Sequence, residues 1–510
     1  MAKSLMVLGC ASDVGKSVLC AGLCRIFAQE GWAVAPFKAQ NMSLNSAITP
    51  SGREIGRAQA VQAEAAGILP NEHMNPVLLK PTSDHRTQVV LQGKVFGHVT
   101  AQQYFYGSKD DLWLAVVESY QYLAQRYDLI VMEGAGSPVE MNLKERDIAN
   151  LRSAELADAT ILLVADIERG GVFASIVGTL ALMTPNERRR VKGLVINKFR
   201  GDPELFQSGA AWLEEYTGIP VLGVIPYLPN LGIEAEDSLA LKSDGYQIAK
   251  KPSLSTAIRI VVVLLPRLAN FTDLDPLFLE QDVEIWFDSD PSSVFQGVDA
   301  VILPGTKNTM DDLTWLNETG WTAAIQDFAE HGGTVFGICG GFQMMGTRVL
   351  DPYGMESLSA ETRGLGLFSY DTVLTAEKHT RLVEGEIVLA AFYGTKVKGY
   401  EIHMGETNQV PDAQIFSQVH ARGRHWPDGV GTADGTLVGT YLHGIFHNDA
   451  FRTQWLNRLR QNKGMAPQAI QLTEPAKIRA YDRWADHLRT HLNWDYLHQW
   501  LGTPPNRGEC

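Results

Sequence analysis

The sequence predicts an α/β protein of two domains, each built on a mostly parallel sheet. Three observations predict it. Short Val/Ile/Leu-rich runs alternate with amphipathic helical stretches along the chain. Two strand-to-turn-to-helix junctions, GCASDVGKS and GICGGFQ, stand one in each half. A polar stretch separates the two series of runs.

In the first series, strands are expected at residues 5–8, 33–37, 129–132, 159–164, 193–196 and 221–224, with helices at 16–30 and 174–182 among them. Each run is short, apolar and bounded by polar or Gly/Pro residues, as strands buried on both faces are. From 234 to 256 the chain turns polar, carries Lys250-Lys251-Pro252 and loses its periodicity. The expected division is a domain over 1–240, a linker over 241–256, a second domain over 257–450, and a helical, Trp-rich tail over 451–510. Strands of the second domain are expected at 258–265, 300–303, 334–338, 397–403 and 438–442.

Composition narrows the function. The 510 residues are 45% hydrophobic and 20% charged, ordinary for a globular chain with large cores. A net charge of -14 argues against a nucleic-acid partner or an anionic membrane surface, both of which need basic patches. A locally basic pocket for a small anionic substrate stays compatible with it. Five irregularly spaced cysteines read as reduced thiols, with no CxxC pair or Cys/His cluster for zinc. The apolar run of MAKSLMVLGC is soon interrupted by Asp13 and Lys16, unlike a signal peptide, and no stretch approaches the ~20 apolar residues of a membrane span. These features predict a cytoplasmic protein. Oligomeric state is not legible.

GCASDVGKS follows a strand and opens a helix, the context in which backbone N–H groups and a helix N-terminus cradle phosphates. Asp13, Gly15, Lys16, Ser17 and Lys38 are the candidate ATP contacts, with Lys16 reaching the terminal phosphates and the Ser17 hydroxyl on magnesium. The strict pattern wants glycine where Cys10 stands, and Gly9 comes one residue early. Shifted spacing of this kind is similar to the dethiobiotin synthetase and partitioning-ATPase branch of phosphate-loop proteins. Glu133 in EGAGS and Asp166 in DIERGG close parallel strands, where ligands bind in open α/β sheets, and are the carboxylate candidates for magnesium. Asn197 and Lys198 are candidates on the adenine side. The polar loop with Asn41 and Asn45 suits a ligand rich in carboxylates and amides.

In GICGGFQ, glycines flank Cys339 and permit the strained turn that presents a nucleophile. A thiol there lies at a helix N-terminus, which favours the thiolate. The Gly340 N–H, with backbone donors near Gly305 of LPGTKN, is the candidate oxyanion hole. A cysteine nucleophile needs a base. Two histidines end apolar strands beside glycine, His403 and His443, and the cleaner strand before His443 favours it.

Taken in order, ASDVGKS, APFKAQNMSLNS, EIGRAQA, MNPVLLKP, EGAGSP, DIERGGVFAS, GLVINKFRGD, NFTDLDP, LPGTKNT, GICGGFQM, GYEIHMG and GTYLHGIF resemble the cobyric acid synthase family, glutamine-dependent enzymes of cobalamin biosynthesis. The resemblance runs from about residue 5 to about residue 451. It implies a dethiobiotin synthetase-like phosphate-loop (P-loop NTPase-like) domain, followed by a class I glutamine amidotransferase-like, flavodoxin-like domain. It also implies ATP, Mg2+ and L-glutamine, and amidation of the b, d, e and g carboxylates of a corrinoid, adenosylcobyrinic acid a,c-diamide. The family's cysteine and histidine fall on Cys339 and His443, and Asp147 falls where the family meets the corrinoid. Amidotransferases of this fold carry Glu two residues after the His; here Ile445 stands there, leaving a dyad or another partner, with Glu401 a candidate. Three other readings stay open. They are a cobyrinic acid a,c-diamide synthase, a phosphate-loop switch without amidotransfer, and an ammonia-using ligase whose glutaminase half is inactive.

Overall fold

The computed structural model describes residues 2–83, 86–107, 109–234, 257–293, 295–357, 359–408 and 413–505. The expected linker, 241–256, lies outside the described residues. Those described form two compact units. One takes residues within 2–43, 49–234 and 474–505; the other takes 44–48 and 257–473. Among the described residues no helix is long and apolar enough to cross a membrane.

The first unit holds a six-stranded, all-parallel sheet. Its order is Val221–Pro226, Val191–Phe199, Thr160–Asp166, Lys3–Gly9, Leu129–Glu133 and Val34–Phe37. Alternation along Lys3–Gly9 feeds two cores. Leu5 and Val7 pack with Leu19, Leu23 and Phe27 of helix Lys16–Gln29, while Met6 and Leu8 pack with Leu112 and Val116 of helix Asp110–Ala124. Each such buried side chain contributes about 1.5–3 kcal/mol. A second, four-stranded sheet of Gln40–Met42, Val77–Ser83, Arg86–Leu91 and Lys94–Thr100 is not anticipated by the sequence reading.

The C-terminal stretch does not stay together. Helix Asp449–Asn462 packs in the second unit, whereas residues from 474 on belong to the first. There Trp484, Leu488 and Leu492, spaced one helical turn apart, join the core around helix Lys16–Gln29. Trp484 Nε1 donates to Val18 O at 2.7 Å.

In the second unit the parallel set runs Val283–Asp288, Ile258–Val263, Ala300–Leu303, Thr334–Ile338 and Leu437–Thr440. Antiparallel pairing then continues through Arg424–Gly431, Gln414–Ala421 and Asp371–Ile387. The strand expected at 397–403 lies within Lys396–Thr407, which pairs antiparallel with Asp371–Ile387 and stands outside the parallel set. Behind the sheet, Phe336, Phe446, Phe451 and Trp455 form an aromatic cluster.

Candidate active site

Apolar strand Thr334–Ile338 delivers Cys339 into a left-handed turn with φ 52° and ψ -107°, followed at once by helix Gly340–Met344. A non-glycine residue at positive φ is costly unless its surroundings force it, and such strain gathers at functional sites. Two contacts force it here. The Cys339 N–H donates to Thr440 O at 2.8 Å. Gly341 packs so close to Leu303 that any Cβ would collide with the Leu303 carbonyl oxygen.

His443 stands just past strand Leu437–Thr440, 1% exposed. Its imidazole lies within electrostatic reach of the Cys339 sulfur, and that Sγ donates to Ile402 O at 3.7 Å. On the other side of the ring, His443 Nδ1 lies 2.6 Å from Asp273 Oδ2, while the Gly444 N–H donates to Asp273 Oδ1 at 2.9 Å. Tyr400 stacks on the ring, with centroids 5.0 Å apart and planes 15° from parallel. Burial by itself disfavours the imidazolium, but the Asp273 carboxylate and the Cys339 sulfur outweigh it and bring the His443 pKa up to about 10. Gly305 and Gly340 both border this group. A Cβ on Gly305 would lie 3.2 Å from His443 Cε1, and one on Gly340 would lie 3.1 Å from Thr306 N. Cys339, His443, Gly340 and Gly305 are thus brought together within the second unit.

Asp273 is the residue the sequence reading missed. Glu401 does not take the place left by Ile445: its carboxylate accepts from Arg381 Nε at 2.5 Å and Trp426 Nε1 at 2.9 Å, and lies 3.8 Å from His403 Nε2. NFTDLDP, counted only toward the resemblance, carries Asp273 within the 3-10 segment Phe271–Leu279.

The phosphate loop is equally built. Gly15, with φ 93°, caps helix Lys16–Gln29, and its Cα closely approaches the Asn197 carboxamide. Asn197 Nδ2 donates to Val14 O at 2.8 Å, and Lys198 Nζ donates to Asp13 O at 2.5 Å. Both side chains therefore brace the loop backbone. Asp166 is held in the same brace, 3.0 Å from Lys198 Nζ and accepting from the Glu168 N–H at 2.7 Å. The Asp13 side chain is exposed. Lys16 Nζ donates to Ala11 O at 3.0 Å and Gly136 O at 3.2 Å.

Ser17, Lys38 and Glu133 do converge. Glu133 is 1% exposed; its Oε1 accepts from Ser17 Oγ at 2.8 Å and Lys38 Nζ at 2.7 Å, and its Oε2 accepts from Gln62 Nε2 at 2.6 Å. A hydroxyl and a carboxylate side by side are oxygen donors of the kind magnesium takes, and the ion usually needs few of them from protein. Among the described residues no cluster of three or more His, Cys, Asp or Glu offers a larger metal site.

The substrate candidates fall in different units. Asn41 Nδ2 donates to Gln59 Oε1 at 3.0 Å in the first unit, whereas Asn45 belongs to the second and accepts from the Asn270 N–H at 2.7 Å. The Asp147 carboxylate accepts from the Ala149 N–H at 2.7 Å and from Asn150 Nδ2 at 2.7 Å. Asn150 in turn receives the Ala135 N–H at 3.0 Å, so Asp147 steadies the loop after Glu133.

Residues 5–240 match the CobQ/CobB/MinD/ParA nucleotide binding domain, and residues 259–451 match the CobB/CobQ-like glutamine amidotransferase domain. The cobyric acid synthase of Geobacillus kaustophilus (strain HTA426) is 45% identical over 508 residues, 98% of this chain and 98% of that protein. The cobyric acid synthase of Salmonella typhimurium (strain LT2) is 48% identical over 505 residues, 98% of each chain. The cobyric acid synthase of Syntrophobacter fumaroxidans is 47% identical over 511 residues, covering 98% and 99%. Similarity at this level across both units, with each half matching its own domain family, means that the chain belongs to the cobyric acid synthase family of ATP-dependent, glutamine-using ligases.

Proposed function

We propose that the protein amidates the b, d, e and g carboxylates of adenosylcobyrinic acid a,c-diamide, giving adenosylcobyric acid, with nitrogen from L-glutamine and energy from ATP. The observation that carries the reading is the Cys339–His443–Asp273 arrangement at a strand-to-helix elbow, in a chain whose other unit presents a phosphate loop.

In the glutaminase step, Cys339 attacks the carboxamide carbon of glutamine, and the Gly340 and Gly305 N–H groups face the developing oxyanion. His443 hands its proton to the departing ammonia. Water, deprotonated by His443, then cleaves the thioester to glutamate and frees the thiolate. Asp273 keeps the imidazole turned with Nε2 toward sulfur throughout.

In the other unit a substrate carboxylate oxygen attacks the γ-phosphorus of ATP and ADP leaves. Ammonia then attacks the acyl phosphate carbon, and phosphate departs, leaving the amide. Lys16 and Lys38 offset charge on the transferring phosphoryl group. Ser17 and Glu133 would hold magnesium, which supplies charge neutralisation at the phosphates when bound. Phosphorylation is needed because a carboxylate oxygen is too poor a leaving group for ammonia to displace.

The test is the product mass after incubation with ATP, magnesium, glutamine and the corrinoid diamide. Four added amides support the reading. Two amides added instead to cobyrinic acid would mark an a,c-diamide synthase, and ATP hydrolysis with no amide formed would leave the switch.

A further inference from the structure

Residues 44–48 belong to the second unit, although Ser43 and Thr49 on either side belong to the first. Asn45 and Ser46 are each 1% exposed. They grip Asn270 from two sides. Asn45 Oδ1 accepts the Asn270 N–H at 2.7 Å, and the Ser46 N–H donates to Asn270 Oδ1 at 2.9 Å. Asn270 sits in the left-handed region, φ 54° and ψ 35°, which asparagine tolerates better than most residues and which these bonds hold in place.

The grip decides what faces the histidine. With Oδ1 of Asn270 committed to the Ser46 N–H, its Nδ2 is the end turned to His443, 3.4 Å from Nε2. An amide N–H₂ can only donate, so this contact supports the ring in the steps where Nε2 has passed on its proton and carries a lone pair. Ser46 also accepts, through its carbonyl, from the hydroxyl of Tyr400 at 3.3 Å, and Tyr400 is the ring stacked on His443. Asp273, three residues past Asn270, holds the opposite nitrogen.

We propose that Asn45 is a positioning residue of the glutaminase site: by fixing Asn270 it sets the orientation of the His443 imidazole toward Cys339. This rests on the reading of Cys339 and His443 as nucleophile and base. It places part of the glutaminase machinery in a segment only seven residues beyond Lys38, and it replaces the substrate contact expected of Asn45.

The test compares full-length wild type, Asn45→Ala and Asn45→Asp in glutamine hydrolysis. Misplacement of a catalytic group by a fraction of an ångström to an ångström costs up to about 100-fold, so Asn45→Ala is expected to lower kcat about 10- to 100-fold with little change in the KM for glutamine. Asn45→Asp keeps an oxygen acceptor for the Asn270 N–H and recovers most of the loss. A glutamine-analogue electrophile that labels Cys339 counts folded sites, and its stoichiometry stays near one per chain in both variants. An unchanged kcat in Asn45→Ala overturns the proposal. So does a loss that Asn45→Asp fails to recover, or one that follows label stoichiometry downward. A rise in corrinoid KM with ammonia as donor, at unaltered glutaminase kcat, returns Asn45 to substrate binding and also overturns it. If wild type hydrolyses no glutamine, the underlying reading falls instead.

Discussion

Asp273 and His443 stand 170 residues apart in the chain and meet side chain to side chain at 2.6 Å. Both are buried, and the second carboxylate oxygen of Asp273 takes the N–H of Gly444, so the acid is fixed from both ends. The carboxylate that meets His443 thus comes from before Cys339 in sequence and not from two residues after the histidine.

Asp273→Asn should therefore cripple glutamine hydrolysis with the site still assembled. The amide can donate to Nδ1 and stabilise the tautomer with its proton on Nε2, the wrong one for a base facing Cys339. In other catalytic triads the equivalent change costs about 10⁴-fold in kcat, so a loss of about 10²–10⁴-fold is expected, mostly in kcat. Steady-state glutaminase assays check it, and a loss of less than about tenfold would remove Asp273 from the mechanism.

The same pair sets a pH dependence. Burial pushes the His443 pKa down, yet Asp273 and Cys339 raise it to about 10, above the unfolded value of about 6.5. A raised pKa means that the fold favours the imidazolium. Its stabilisation is complete below about pH 6.5 and is lost as pH rises toward about 10. Without the Asp273 charge the largest influence that raises the pKa is gone, and that slope should weaken. The melting-temperature gap between wild type and Asp273→Asn should accordingly narrow from pH 6.5 upward. A gap that widens with pH contradicts the assignment.

Much of this was readable from local sequence, and the unread part is through-space. GICGG announces the turn at Cys339 because its glycines and the following helix are neighbours in the chain. The parallel strands announce themselves as apolar runs because both their faces are covered. Val283–Asp288 escapes that rule because it is only half-buried, and the antiparallel strands escape it because they are partly exposed. Asn45 sits in a polar stretch, and its burial with a satisfied hydrogen bond leaves no mark in composition. The Trp-rich helices are visible as helices, but nothing local says that Trp484 will cover helix Lys16–Gln29.

That cover is testable. Gly22 sits so close to Leu488 and Trp484 that no side chain fits between them, and Trp484 ties its indole N–H to Val18 O. Trp484→Ala removes a side chain only 5% exposed from the core behind the phosphate loop. Such truncations cost about 3–5 kcal/mol. A fall in melting temperature of roughly 10 °C is expected for a unit of this size, with ATP-dependent synthesis failing at lower temperature than glutaminase activity. Unchanged melting would mean that the C-terminal helices are dispensable.

Lys38 and Glu133 pose a sharper question, because their ion pair could be scaffolding or part of the ATP site. The side chains are 5% and 1% exposed and lie 2.7 Å apart. Removing one member of a buried pair strands the other charge and costs about 3–5 kcal/mol, whereas removing both can be nearly neutral. Glu133→Gln should lower stability and abolish synthesis from either glutamine or ammonia. Adding Lys38→Met should restore much of the stability, since neither charge is then left alone. If Glu133 serves only the fold, activity returns along with stability in the double variant. If Glu133 and Ser17 hold the metal and Lys38 meets the phosphates, the double variant melts near wild type and still makes no amide, and that combination is the expected result. Thermal melts and ammonia-driven synthesis on the same three proteins decide between the two.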